Sequence, residues 1–210
     1  MKTRYLLSLC LLLIVCWASV AQAKINIVAA TADIGSLASE IGKEKVEVTS
    51  LAKPTEDPHF VDAKPSFIVK LNKANMLIEG GLQLEIGWLP NLIVSARNQK
   101  ILTGNTGNLI ASEGIQILEL PSSVDRAMGD VHPLGNPHFM LDPSNGKIVA
   151  TNICNCLCKV DEANGAYYKN NLDDFIKRLD QKLAEWDKLL EPYRGTKVVT
   201  YHKTFPYFAR

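Results

Sequence analysis

The sequence predicts an α/β fold, a parallel sheet covered on both faces by helices. Short continuous apolar runs mark strands buried on both faces, and they alternate with amphipathic stretches of helical spacing. That alternation argues for parallel strands joined by helical crossovers. The chain has 210 residues, 47% of them apolar and 21% charged, which suffices for one good core or two small ones.

The elements follow in order. Residues 1–23 carry Lys2 and Arg4, an apolar run over Leu6–Val15, and the small-residue end Ala21-Gln22-Ala23. This is the layout of a secretory signal peptide cleaved after Ala23. Extended to Val20, the run is interrupted by Ser8 and Ser19 and falls short of the ~20 residues that span a bilayer. Val15 before Cys16 argues against lipidation there. Ile25–Ala29 reads as the first strand. Thr31-Ala32-Asp33 offers caps for a helix over Ile34–Ile41, with Gly42 as its stop. Val46–Leu51 is the second strand and Pro65–Ala74 a helix with Pro in its first turn. Met76–Ile78 is the third strand, ending at Gly80-Gly81, and Leu84–Ala96 is helical, with Pro90 bending it or marking a boundary. Ile115–Leu118 is another short apolar run.

Lys147–Lys159 reads as a helix carrying Cys154, Cys156 and Cys158. Cys154 and Cys158 share a face, Cys156 points away, and these helical spacings do not suit a disulfide. They read as small buried thiols. From Tyr167 to Leu190, apolar residues recur at helical spacing from Tyr168 through Leu172, Phe175, Leu179, Leu183 and Trp186 to Leu190. A helix of that length is a rod of about 36 Å, long enough to tie two lobes together. Lys197–Tyr201 then returns to a strand pattern, and Thr204–Ala209 resembles a helix start.

Lys plus Arg (23) nearly balance Asp plus Glu (22), so no basic surplus exists to hold a nucleic-acid backbone. Of four histidines, His59 lies in Glu56-Asp57-Pro58-His59-Phe60, and His132 and His138 lie in the loop that contains Gly135-Asn136-Pro137-His138. His202 directly follows the run Lys197–Tyr201. Pro58 and Pro137 hold the residues before them extended. Neutral imidazoles in loops of an open α/β sheet are good ligands for zinc and related metals. Spacing alone also fits ordinary surface histidines. Three imidazoles and a water would describe a catalytic zinc as well, so a secreted zinc-dependent hydrolase is the alternative. The chain lacks His-Glu-x-x-His and Gly-x-Ser-x-Gly, which argues against it.

At these residues the sequence resembles a known family. Its marks are Glu56–Phe60, Lys64-Pro65-Ser66, Gly80–Glu85 with Trp88, Gly135–His138 with Leu141-Asp142-Pro143, Tyr168, and Val199–His202. In this order they resemble the periplasmic zinc/manganese-binding proteins of bacterial ABC importers, the cluster A-I or zinc-uptake type. The resemblance runs over about residues 24–210. It implies two α/β lobes joined by one long helix: a metal-binding lobe over 24–160, the connecting helix over 161–192, and the beginning of an incomplete second lobe over 193–210. It implies His59 and His138 as imidazole ligands of the first lobe and His202 as the ligand of the second. His132, where relatives carry a His-rich loop, receives only an accessory role. The cargo implied is Zn²⁺, with Mn²⁺ or Fe²⁺ as alternatives, since some manganese-binding members carry Glu at the position of His202. The partner implied is a membrane permease, served in the periplasm by a monomeric, non-enzymatic protein. The family's fourth ligand, a carboxylate beyond the third, has no counterpart in this chain.

Overall fold

A computed structural model describes residues 23–121, 132–200 and 203–210. Four short parallel strands form its sheet: β1 (Ile25–Ala29), β2 (Val46–Ser50), β3 (Met76–Glu79) and β4 (Asn108–Ile110), in the order β2-β1-β3-β4. Registers such as Ile27 opposite Val48 and Met76 place like faces together across the strands. The two central strands β1 and β3 are buried on both faces because their side chains alternate between two cores. Ile27, Ala29, Met76 and Ile78 point into one core, with Ile34, Ile41, Ile153 and Tyr168. Val28, Ala30 and Leu77 point into the other, with Phe67, Leu71, Leu89 and Ile101. The helices that supply these partners are α1 (Ala32–Gly42), α4 (Asn145–Val160) and α5 (Gly165–Leu190) on one side. On the other side are α2 (Pro65–Lys73) and α3 (Leu89–Ala96).

Local chemistry explains most element ends. Thr31 occupies the cap position of α1, yet its hydroxyl bonds the Asp33 carboxylate, and that carboxylate accepts the Ile34 N–H at 2.9 Å. Gly42 ends α1 for a reason other than a left-handed turn. Its φ is −83°, and the positive φ falls on Lys43. A Cβ at Gly42 would lie 2.3 Å from the Val46 side chain, so glycine lets β2 start close against the helix. The expected helix over Leu84–Ala96 begins only at Leu89, with Pro90 in its first turn, where the missing N–H costs nothing. Residues 84–88 form turns instead.

Two expectations for the last stretch fail. Residues 197–200 form no strand, and Tyr201 lies outside the described residues. Val198 and Val199 are exposed, and alternation cannot make a strand where no neighbour supplies hydrogen bonds. Residues 203–208 form turns rather than a helix start, closed by the Phe208 and Ala209 amides on the Phe205 carbonyl. Ile115–Leu118 is likewise irregular, and the edge strand β4 lies just before it, at a segment not recognised from the sequence.

The long helix is present as 26 residues. Its first half is fastened to the sheet side: Asn171 Nδ2 donates to the Ile41 carbonyl at 2.8 Å, and the Tyr168 hydroxyl donates to Asp161 at 2.6 Å. Its second half leaves Trp186, Leu189 and Leu190 exposed. The cysteines of α4 are buried or half-buried thiols without disulfides. Burial, reinforced by the neighbouring Cys158, pushes Cys154 up to about 12, and burial pushes Cys156 up to about 11, so both are held protonated.

Glu85 is a buried acid beside the end of β3. It accepts the Gly80 N–H at 2.7 Å, and burial raises its carboxyl to about 7 against these favourable bonds, with Glu79 pushing the same way. The folded value lies above the unfolded one, so the protonated form is favoured by folding. Its stabilising contribution is full below about pH 4.5 and lost as pH rises through about 7. We expect chemical denaturation to show about 3 kcal/mol more loss of stability between pH 4.5 and 7.5 in the wild type than in Glu85→Gln. Parallel pH profiles of the two proteins would count against this assignment.

Candidate metal centre

The loops that follow the strands' carboxyl ends carry the imidazoles, as expected for an open parallel sheet. His59 comes from the loop after β2, and His132 and His138 from the segment after β4. The His59 ring centroid lies 5.0 Å from that of His132 and 5.2 Å from that of His138, and the latter two are 5.9 Å apart. One nitrogen from each of the three rings lies within 4.8 Å of the others. Three nitrogens around a tetrahedral zinc stand about 3.3 Å apart, so modest ring rotations bring this set onto one ion. The Nε2 atoms of His59 and His132 are sealed from solvent.

The supports of each ring are local. His59 Nδ1 pairs with Asp57 at 2.8 Å, and the same carboxylate oxygen accepts the His59 backbone N–H at 2.9 Å. A carboxylate on Nδ1 fixes the tautomer that leaves Nε2 as the metal-facing lone pair. Burial alone would raise the Asp57 carboxyl, but the two bonds from His59 and the nearness of His59 and His138 hold it below the usual range. Trp88 Nε1 donates to the Pro58 carbonyl at 2.8 Å, which anchors the loop one residue before His59. On the other arm, Asn136 Oδ1 accepts the His138 N–H at 2.9 Å. Gly135 takes φ +91°, a left-handed turn whose N–H donates to the His132 carbonyl at 3.0 Å. A cavity of about 750 Å³ opens beside His138, lined also by Asp33, Lys53, Glu56 and Met140.

The structure thus brings two of the expected ligands, His59 and His138, together. It adds His132, for which the family resemblance implied only an accessory role, although its place in the same loop as His138 was the available signal. His202 lies outside the described residues. Among the described residues no other group of histidine, cysteine and acidic side chains forms a cluster able to hold a metal. The carboxylate Asp57 and the amide Asn136 are supports that residue spacing did not single out.

Comparison with known proteins fits this fold and cluster. Residues 27–210 match the family described as ZnuA, zinc-uptake complex component A periplasmic. The chain belongs to that family, and the secreted-hydrolase alternative finds no support in the match. It is 27% identical over 192 residues to the manganese ABC transporter substrate-binding lipoprotein PsaA of Streptococcus anginosus, covering 89% of this chain and 59% of PsaA. A metal ABC transporter substrate-binding lipoprotein of Lactococcus lactis is 29% identical over 197 residues, covering 91% of this chain and 59% of the relative. A crystal structure of a ZnuA deletion variant with zinc bound superposes with a TM-score of 0.73 at 26% identity, over 89% of this chain and 66% of that one. The chain therefore spans about three fifths of the length of the curated relatives it matches.

Proposed function

We propose that this protein captures a divalent transition-metal ion outside the cytoplasm, zinc in preference to manganese, and delivers it to the permease of an ABC importer. The observation that carries the reading is the convergence of His59, His132 and His138, from two distant loops, within 4.8 Å. The ligand set we infer is His59, His138 and His202, with His132 as a further imidazole. Lys203, the residue after His202, has its carbonyl bonded by Asn136 at 2.7 Å, two residues from His138, which supports the inclusion of His202. An all-nitrogen set binds zinc above manganese, because manganese prefers oxygen donors and stands lowest in the divalent series. The relatives' names cover both metals, so the donor atoms favour the choice. The leader read at residues 1–23 supports export, and the one long helix described for residues 165–190 supports a connection to a second lobe.

Competition against a chromophoric chelator tests the reading, with zinc and manganese measured on the same preparation. Zinc should bind tighter by orders of magnitude, and manganese binding tighter than zinc would overturn the donor assignment. Protons compete for the imidazole lone pairs, so affinity falls as pH drops through about 6.5. Calorimetric affinity unchanged between about pH 5 and 8 would exclude histidine ligation. Delivery is checked by zinc uptake into vesicles that carry the importer's permease, with and without the loaded protein.

A further inference from the structure

Asn136 is almost wholly buried, and every polar atom it owns is used. Its Oδ1 accepts the His138 N–H. Its Nδ2 donates to Glu119 and to the Lys203 carbonyl, each at 2.7 Å. Its N–H donates to the Leu118 carbonyl at 2.9 Å, and its own carbonyl accepts the Tyr207 hydroxyl at 3.0 Å. Tyr207 is 1% exposed, and its hydroxyl oxygen accepts the Leu118 N–H at 3.0 Å. Two outer ties reinforce the arrangement: Lys203 approaches Glu119 at 3.4 Å, and Arg210 pairs with Asp142 at 2.8 Å. The turns of residues 203–210 are therefore pinned, at three points, onto the loops that carry His138.

We infer that Asn136 and Tyr207 are positioning residues for metal capture, and that residues 203–210 form a strap whose docking holds His138 in its ligating place. The inference rests on the proposed metal-binding function. The path is short and continuous: Tyr207 fixes the Asn136 and Leu118 backbones, and Asn136 fixes the His138 backbone through its side chain. Asn136 reaches His138 through the His138 backbone N–H, and Tyr207 acts one step further out, through Asn136. An ion that draws His138 toward His59 and His132 binds the docked strap better than the loose one. By reciprocity, it must also tighten the strap by the same factor.

The test uses the whole chain and zinc alone. Tyr207→Phe removes one oxygen from a buried ring and should weaken zinc about fivefold, within the usual range of coupling between sites. Asn136→Asp keeps the acceptor for His138 but replaces both donors with a carboxylate facing Glu119, and should weaken zinc about tenfold or more. Tyr168→Phe is the control: it removes a buried hydroxyl bonded to Asp161, lowers stability comparably, and should leave zinc affinity within about twofold. In the wild type, zinc should slow hydrogen exchange at the Phe208 and Ala209 amides, and Tyr207→Phe should abolish that slowing. Wild-type zinc affinity in both strap variants, or equal weakening in Tyr168→Phe, would overturn the positioning role while leaving metal capture intact. Exchange at these two amides that ignores zinc in a wild type that binds it would do the same. Absence of zinc binding in the wild type would overturn the functional reading itself.

Discussion

His138→Ala should weaken zinc binding by about a hundredfold or more, and His59→Ala by a similar factor, because each removes one nitrogen from a site built of few donors. The two rings stand on different loops with their centroids 5.2 Å apart, so each variant takes away one arm's contribution to the cluster. Asp57→Asn should cost about tenfold, since Nδ1 of His59 loses its carboxylate partner while the ring remains. His132→Ala is the informative comparison. Its sealed Nε2 and its 5.0 Å stack on His59 give it a direct place in the cluster, so its loss should approach that of the other two. Chelator competition at pH 7.5 reads all four variants, and metal-free thermal melts confirm that each is folded. Losses below about threefold for both His59→Ala and His138→Ala would show that the cluster does not hold the metal.

The sheet was legible because its code is local. A mostly apolar pentapeptide such as Ile25–Ala29, broken only by Asn26, fits best between two helical layers, and the structure places it there with Ile27 and Val28 in opposite cores. The long helix was legible for the same reason, since a 3.6-residue rhythm over more than six turns admits no other reading. β4 was not: Asn108–Ile110 is three residues of edge strand, too short for any period to register, and its place follows from pairing with Leu77–Glu79. The strand expected at 197–201 errs in the opposite direction, because a pattern states which face would be buried but cannot supply the neighbour that buries it. At the site, residue type and proline context singled out His59 and His138. Convergence did not follow from sequence, because only the folded sheet brings the loop after β2 beside the segment after β4. The weight of His132 was missed for that reason. Asn136 and Tyr207 were missed because their role is carried by buried hydrogen bonds between segments 71 residues apart.

Gly135→Ala should be the most damaging single methyl in the metal-binding loop. The residue sits at φ +91°, and a Cβ there would meet the Ile117 methyl at 2.2 Å and the Leu118 carbonyl oxygen at 3.0 Å. The first contact demands displacement of a β-branched side chain whose χ1 is stiff, and the second is against backbone. Left-handed strain and overpacking together should destabilise the fold by about 3 kcal/mol. The functional consequence exceeds the stability loss. Gly135 is the turn that joins His132 to His138, and its neighbour Asn136 is bonded to Leu118, the residue the methyl would push. Relief of the clash therefore moves Asn136 away from Leu118 and carries the His138 backbone with it. Zinc affinity should fall at least tenfold under conditions where urea titration shows the variant fully folded. Retention of wild-type affinity in a destabilised Gly135→Ala would mean that the loop relaxes at Ile117 alone, and that His138 is held by its ring rather than by its backbone.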